Sequence, residues 1–335
     1  MKTLLATATA ALLTGAATTA VIAASHAAAE PAIIYDLGGK FDKSFNEAAF
    51  NGAERFKEEG GASYAEFEIQ NDAQREQALR RYAERGNSPV VMAGFSFGNA
   101  LETVAADFPD TQFVIIDFVV DAPNVRSVVF KEHEGSYLAG IAAAMAAESD
   151  TVGFVGGMDI PLIRRFACGY VGGAKAAGAT TVLENMTGST PAAWNDPVRG
   201  GELAKNQISQ GADVVYHAAG GTGVGVLQAV ADEGKLGIGV DSNQNGLQPG
   251  SVLTSMLKKV DVAVFEAMND AANGEFSPGV QTLGLAEGGV DLAMDDNNAD
   301  LMSDEMIAAI DEARQQIVSG ELEVHDYMSD ENCPY

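Results

Sequence analysis

The sequence is poor in the residues that build metal centres. Its 335 residues include two cysteines, four histidines and one tryptophan. Neither a CxxC pair nor a Cys/His cluster occurs, which excludes the spacings typical of structural zinc sites. Basic residues are also scarce, with 20 Lys and Arg against 47 Asp and Glu. Because so acidic a surface repels nucleic acid and anionic lipid, we expect no nucleic-acid partner.

Motifs for phosphate binding and nucleophilic catalysis are missing as well. The glycine-rich run Gly220–Gly225 matches neither a P-loop nor GxGxxG. No GxSxG nucleophile elbow is present. His217 stands beside the glycine run, but a lone histidine is usually structural. We therefore expect no cofactor, no metal and no catalytic residue, and we do not expect an enzyme.

A long apolar stretch stands at the N-terminus. Lys2 precedes an Ala- and Thr-rich run, Leu4–Ala24, and Ala27–Ala29 fits a small-x-small cleavage site. We predict that residues 1–29 are a cleaved signal peptide. No cysteine stands near this site, so we expect a protein released into the periplasm without a membrane anchor. Cleavage leaves 19 basic and 47 acidic residues, a formal charge of −28.

Cys168 and Cys333 are the two cysteines of the chain. Export places them where a disulfide persists, and a bridge between them would fasten the C-terminal segment to the body. Two buried or free thiols are the equal alternative. The sequence leaves both open.

Short β-rich runs alternate with longer amphipathic stretches over the mature chain. Strands are predicted at 32–36, 64–69, 89–93, 112–117, 126–130, 151–155, 180–186, 213–217, 236–240 and 252–256. Helices are predicted at 44–59, 72–85, 98–107, 132–147, 161–177, 197–210, 222–233, 258–273 and 303–319. This alternation indicates an α/β fold with doubly wound sheets. Since a fresh series opens at Thr151, we expect two similar lobes.

Polar residues follow several of these strands. Asp36, Asp117 and Asp241 each end an apolar run, and carboxyl ends of parallel strands are where open α/β sheets bind ligands. Three such carboxylates, with aromatic residues in neighbouring loops, suit a sugar or nucleoside. The loop 35–46 is the central candidate, although a solvated turn capped by Ser44 is an equally good interpretation. Trp194, in a loop rich in Pro, Asn and Asp, is either core or part of a site.

Several segments together resemble the basic membrane protein family, whose members are substrate-binding proteins of ABC importers and include purine nucleoside receptors. The resemblance runs from about Ile33 to Val324. It is carried by Asp42–Asn46, Gly94-Phe95, Gly157–Ile163, Ala193–Pro197, Ala219–Gly223, Gly239–Asp241 and Leu253–Lys258.

The resemblance implies a type I periplasmic binding protein fold, with two lobes joined by a three-crossing hinge. We place lobe 1 at 30–131 plus 257–282 and lobe 2 at 132–256 plus 283–335. The implied partners are a purine nucleoside and the permease and ATPase subunits of an importer, and we expect a monomer. Many relatives are lipoproteins, and the missing lipobox cysteine departs from them.

The resemblance also implies roles for individual residues. Phe45 is similar to the ring that stacks on a purine, and Asn46 and Asp117 to its base-edge partners. Asp241 and Lys258 are similar to the ribose contacts, with Lys258 expected to neutralise Asp241. The remaining assignments are Asp36 near the ribose, and Tyr216 or Trp194 as the opposite stacking surface.

Two other functions are weighed against a nucleoside receptor. One is a receptor for a different small ligand, such as a flavin, that serves a transporter or a sensor kinase. The other is a secreted hydrolase of nucleosides or esters, for which the sequence shows no nucleophile–base pair. Bound flavin would favour the first of these alternatives, and turnover of the bound ligand would favour the second.

Overall fold

The computed structural model describes residues 29–60 and 63–335. The predicted signal peptide therefore lies outside the described residues, apart from Ala29. In the described part of the chain, no helix is both long enough and apolar enough to span a membrane.

The first lobe is built on a six-stranded sheet in which every neighbouring pair is parallel. Its strands, in chain order, are β1 (Ala32–Tyr35), β2 (Ala65–Glu68), β3 (Val90–Ala93), β4 (Phe113–Ile116), β5 (Val125–Phe130) and β11 (Gly279–Leu283). In space they are ordered β11-β5-β4-β3-β1-β2. The helices of this lobe are α1 (Phe45–Gly60), α2 (Gln74–Glu84), α3 (Gly98–Asp107) and α8 (Val260–Asn273).

The second lobe has a similar architecture, also built on a six-stranded sheet. Its strands are β6 (Thr151–Met158), β7 (Thr181–Gly188), β8 (Val214–Ala218), β9 (Leu236–Asp241), β10 (Val252–Lys258) and β12 (Val290–Leu292), ordered β12-β10-β9-β8-β6-β7. Only the edge strand β12 runs antiparallel to its neighbour. The helices are α4 (Glu132–Ala146), α5 (Pro161–Ala176), α6 (Pro197–Ser209), α7 (Thr222–Asp232) and α9 (Asp304–Ser319).

Each central strand is buried on both faces, as the unbroken apolar runs predict. Alternate residues of β1 face opposite layers: Ile34 joins the cluster that holds Leu79 and Leu101, whereas Ile33 and Tyr35 join the cluster on the other face. This arrangement confirms the doubly wound, two-lobed architecture.

The chain crosses between the sheets three times: at Phe130–Glu132, at Lys258–Val260 and between Leu283 and Val290. The third crossing runs beside the first two, because Lys131 N donates to the carbonyl of Leu283 and Lys259 N to that of Gly289. The three-crossing hinge is therefore present as expected.

The predicted elements match the observed ones within a few residues, but β11 and β12 were not predicted. β11 reads Gly-Val-Gln-Thr-Leu and is largely exposed, so it lacks the apolar run that marks a central strand. β12 has three residues and adds only to one edge of its sheet. Both are edge strands; in β12 Val290 and Leu292 are buried, but three residues are too few for the alternation to stand out.

Of the two alternatives for the cysteines, the structure has the bridge. Cys168 of α5 is joined to Cys333, with the two Cα atoms 5.6 Å apart. The bridge closes a loop of 165 residues and fastens the C-terminal segment to α5.

Candidate functional site

A cleft opens between the lobes at the carboxyl ends of both sheets. Its atom-free space, open mouth included, is about 610 Å³. Residues of lobe 1 that line it are Asp36, Leu37, Asp42, Phe45, Asn46, Gly94, Phe95 and Asp117. Residues of lobe 2 that line it are Leu162, Ile163, Phe166, Trp194, Ala218, Gly220, Val240, Asp241 and Lys258.

The loop between β1 and α1 is shaped by Asp42. Its carboxylate accepts hydrogen bonds from the backbone N–H groups of Ser44 (2.8 Å), Asn46 (3.0 Å) and Glu47 (3.1 Å). The N–H groups of Asn46 and Glu47 belong to the first turn of α1 and have no partner within the helix, and Ser44 precedes that turn. Burial raises the pKa of Asp42 to about 6, although these bonds oppose the shift. The loop is therefore held by internal hydrogen bonds and places Phe45 at the cleft; it is not a solvated turn.

Asn46 holds the loop with one end of its amide and leaves the other end free. Its Nδ2 donates to the carbonyls of Asp36 (3.3 Å) and Gly39 (3.2 Å), while its buried Oδ1 has no partner among the described residues. Since Asn46 lines the cleft, this oxygen is a candidate acceptor for a ligand. Leaving such a buried acceptor unpaired costs about 1–3 kcal/mol, which a ligand donor would recover.

Asp36 lines the cleft but is already engaged. Its Oδ1 accepts from Arg75 at 2.6 Å and from the backbone of Leu37 at 2.8 Å. Gly94 makes room for it, since a Cβ at position 94 would lie 2.9 Å from Asp36 Oδ2 and the φ of Gly94 is +128°. Asp36 is thus oriented by protein groups.

Lys258 lies at the centre of the site. Its ammonium group is 2.7 Å from Asp117 Oδ2 and 2.9 Å from Glu132 Oε1, and both side chains are buried with it. It also stands 5.3 Å from the ring centroid of Phe45 and 5.6 Å from that of Phe166. These contacts join Asp117 and Phe45 of lobe 1 to Phe166 of lobe 2 around one cation.

Asp117 Oδ1 is a second free acceptor in the cleft. The oxygen is buried and has no hydrogen-bond partner in the described part of the chain, and Asp117 stands in the left-handed region with φ of 71°. Burial raises the pKa of Asp117 to about 6, with Lys258 acting in the opposite direction. Asn46 and Asp117, predicted as base-edge partners, therefore each offer one unpaired oxygen.

Asp241 connects the two lobes. Its Oδ2 accepts a hydrogen bond of 2.5 Å from the Ser44 hydroxyl, and Ser242 Oγ donates to the carbonyl of Ser44 at 2.9 Å. Gln244 Nε2 donates to the carbonyl of Lys43 at 2.9 Å. We refer to these three bonds as the interlobe latch. They require the lobes to be close together, so the structure represents a closed form.

Lys258, which was expected to neutralise Asp241, acts on that carboxylate through its charge, which favours the ionised form. The partners of the ammonium group are Asp117 and Glu132, and the Asp241 carboxylate is bonded to Ser44. Burial raises the pKa of Asp241 to about 6, and the attraction of Lys258 only partly offsets it.

The structure separates the two candidates for the second stacking surface. Trp194 lines the cleft, where it packs over Gly157 and Gly38; a Cβ at position 157 would lie 2.1 Å from its ring. Tyr216 does not line the cleft, and its assignment as a stacking surface is wrong. Its ring is fully buried against Phe154 and Tyr170, because β8 turns this face towards the interior of lobe 2.

The N-terminal turns of α5 supply an apolar wall that the sequence reasoning missed. Leu162, Ile163 and Phe166 all line the cleft. Pro161 at the first helical position places the start of α5 just after β6. The i, i+4 spacing of Leu162 and Phe166, directly after a strand of the second lobe, was the signal that could have indicated this wall.

We predict that Asp241→Asn stabilises the ligand-free protein at pH 7. The pKa of Asp241 is raised from 3.8 to about 6 in the folded state, so its ionisation favours the unfolded chain. Removing the charge should raise the free energy of unfolding by about 1–3 kcal/mol at pH 7. The advantage should shrink as the pH falls through 6 towards 4, where the wild-type carboxyl group is protonated in the folded state.

Urea unfolding of both proteins at several pH values measures this difference. Taking the difference between variant and wild type cancels the contributions of other titrating groups, such as His217, whose pKa burial lowers to about 4. If the variant is less stable than wild type by the same amount at pH 7 and at pH 5, the Asp241 charge does not strain the folded state.

Comparison with known proteins agrees with this geometry. A profile described as "ABC transporter substrate-binding protein PnrA-like" matches residues 31–327. The ABC transporter nucleoside-binding protein BmpA of Lactococcus lactis is 31% identical over 317 residues, covering 88% of each chain. An uncharacterized lipoprotein of Pyrococcus furiosus is 37% identical over 279 residues, covering 77% of this chain and 68% of its own.

A solved structure supports the fold. The chain superimposes on an ABC transporter solute-binding protein from Aeropyrum pernix K1 with a TM-score of 0.82 and 30% sequence identity. The match covers 89% of this chain and 93% of that chain.

Proposed function

Because the chain belongs to the PnrA-like family of ABC transporter substrate-binding proteins, which are extracytoplasmic and not enzymes, we propose that it captures a purine nucleoside. In this proposal the nucleoside binds in the interlobe cleft and is delivered to an ABC permease and its ATPase. We further propose that the protein acts as a monomer in the periplasm, without a membrane anchor.

Two hydrogen-bond acceptors without partners, beside the aromatic walls of the cleft, are the main support for the proposal. Within residues 29–60 and 63–335, Asn46 Oδ1 and Asp117 Oδ1 are buried without partners, and both residues line the cleft with Phe45 and Phe166. A flat heterocycle with N–H donors on its edge would pair with the oxygens and lie against the rings. Purine bases combine these features.

The charge of the cleft favours an uncharged ligand over a phosphorylated one. Among the described residues that line the cleft, Asp36, Asp42, Asp117 and Asp241 are acidic and Lys258 is the one cation. Lys258 already has two carboxylate partners. A phosphate entering the cleft would lose its hydration and meet carboxylates, so nucleotides should bind far more weakly than nucleosides.

Lobe closure is the proposed mechanism. The interlobe latch forms only when Ser44 of lobe 1 reaches Asp241 of lobe 2. A ligand that touches both lobes favours the closed form by its extra contacts there, and so shifts an existing equilibrium. The importer would then receive a closed, loaded protein.

Mass spectrometry of small molecules released from the denatured, purified protein tests the proposal. A purine nucleoside at near-stoichiometric amount is the expected result. A bound flavin would favour the receptor for a different ligand that the sequence left open.

We expect Phe45→Ala to weaken nucleoside binding by about 1–3 kcal/mol, the range for loss of one base–aromatic stacking contact. Titration calorimetry measures the change. Phe41→Ala is the matched control, because Phe41 belongs to the same loop and is 60% exposed outside the cleft. Unchanged affinity for Phe45→Ala, with a large drop in melting temperature, would make Phe45 a packing residue only.

A further inference from the structure

The C-terminal segment, residues 321–335, is fastened to lobe 2 at several points. Val324 is buried in the core, and Cys333 is bridged to Cys168. The ring of Tyr335 packs on Gly172, where a Cβ would lie 2.6 Å from it, and its hydroxyl accepts from His325 N at 3.1 Å. This segment lies on α5, the helix whose first turns line the cleft.

A chain of alternating charges runs from this segment to the cleft. Asp326 forms two hydrogen bonds of 2.7 Å with Arg165 of α5. Arg165 in turn lies 3.0 Å from Glu132, and Glu132 lies 2.9 Å from Lys258. Lys258 ends the chain on Asp117 at 2.7 Å. We call these five residues the ion-pair chain.

The ion-pair chain also contacts the hinge. Glu132 and Lys258 belong to the first and second crossings, so their ion pair ties two crossings together. Arg165 additionally donates to the carbonyl of Phe130 at 2.7 Å, at the start of the first crossing. The guanidinium group is thus held on one side by Asp326 and on the other by hinge groups.

We propose that Asp326 is a positioning residue for the ligand site, and that the Cys168–Cys333 bridge keeps it in place. Asp326 holds Arg165, Arg165 holds Glu132, and Glu132 shares Lys258 with Asp117. The consequence is that the C-terminal segment sets the position of Lys258 and the affinity of the cleft. This inference rests on the proposed function for its affinity readout but not for its structural readout.

Two considerations support a role in positioning. First, planar Arg–carboxylate pairs fix orientation as well as charge, because both N–H groups must align with both oxygens. Second, Glu132 is fully buried and depends on its cationic partners, so a shift of Arg165 changes how strongly Glu132 attracts Lys258. Energetic coupling through such networks typically changes affinity by about 2- to 30-fold.

The test compares Asp326→Asn with Asp330→Asn. The control makes the same substitution four residues later, where the carboxylate pairs with His325 on the surface. The first readout is the rate of reductive methylation of Lys258 in ligand-free protein, measured by peptide mass spectrometry. The second is the affinity for inosine, measured by calorimetry.

For Asp326→Asn we expect Lys258 to be methylated at least about fivefold faster and inosine to bind about 2- to 30-fold more weakly. Asp330→Asn should match wild type in both. Cys333→Ser should also show faster methylation of Lys258. If Cys333→Ser does not fold, Asp326→Asn alone tests the proposal.

Unchanged Lys258 methylation in Asp326→Asn would overturn the proposal, even if the melting temperature falls. If wild type does not bind inosine or any other purine nucleoside, the proposed function fails. The methylation readout still decides whether Asp326 positions Lys258.

Discussion

Lys258→Met should abolish measurable nucleoside binding and lower the free energy of unfolding at pH 7 by about 3–5 kcal/mol. Methionine approximates the length of the lysine stem, so the change removes mainly the charge. Asp117 would then be a buried carboxylate without its cation, and Glu132 would keep only Arg165. Breaking one partner of a buried ion pair typically costs this much. The Phe45 and Phe166 rings would also lose the cation that stands beside both.

Lys259→Met is the matched control for this prediction. Lys259 is the next residue along the chain and is only half-buried, so its loss should change stability and binding little. Lowering the pH towards 5 should partly restore the stability of Lys258→Met, because protonation removes the uncompensated charge. Wild-type affinity in Lys258→Met would show that the cation is not part of the ligand site.

The second large effect concerns Asp241 and the sugar. We expect ribonucleosides to bind at least about tenfold tighter than 2′-deoxynucleosides, because a missing hydroxyl leaves a buried carboxylate oxygen unpaired at a cost of about 1–3 kcal/mol or more. Asp241→Ala should lose most of that discrimination and much of the affinity. Calorimetry with nucleoside, deoxynucleoside and free base measures both quantities.

Ser44→Ala separates the two roles of Asp241. That variant removes the hydroxyl of the interlobe latch but keeps the carboxylate. It should weaken ribonucleosides and deoxynucleosides by the same factor, because closure is affected and sugar recognition is not. Equal affinities of wild type for nucleoside, deoxynucleoside and free base would show that nothing in the cleft recognises the ribose.

The fold was largely predictable because it depends on patterns that are local in sequence. Runs such as Phe113–Ile116 are apolar throughout, and a strand covered on both faces requires that pattern. Helix starts were marked as well: Asp196 caps α6 by accepting from Arg199 N, and Pro197 follows it. The edge strands β11 and β12 lack such patterns and were missed.

The site was predictable only in part. Strand ends indicated Asp36, Asp117 and Asp241, because parallel strands bring their carboxyl ends to one edge of each sheet. Tyr216 was assigned wrongly because whether a side chain at a strand end faces the cleft or the lobe interior depends on how the lobe packs. The local sequence does not fix that direction. The partners of Lys258 come from the ends of β4 and of the first crossing, far apart in sequence, and no local pattern records that contact.

The central claim is that a purine nucleoside binds in the closed cleft between the lobes. The most direct test is a calorimetric titration of protein that has been unfolded, freed of ligand and refolded, using adenosine, guanosine and inosine. The account predicts one site per chain for at least one nucleoside, with much weaker binding of its 5′-monophosphate. Absence of binding for all three, with one-site binding of a flavin or a free sugar, would contradict it.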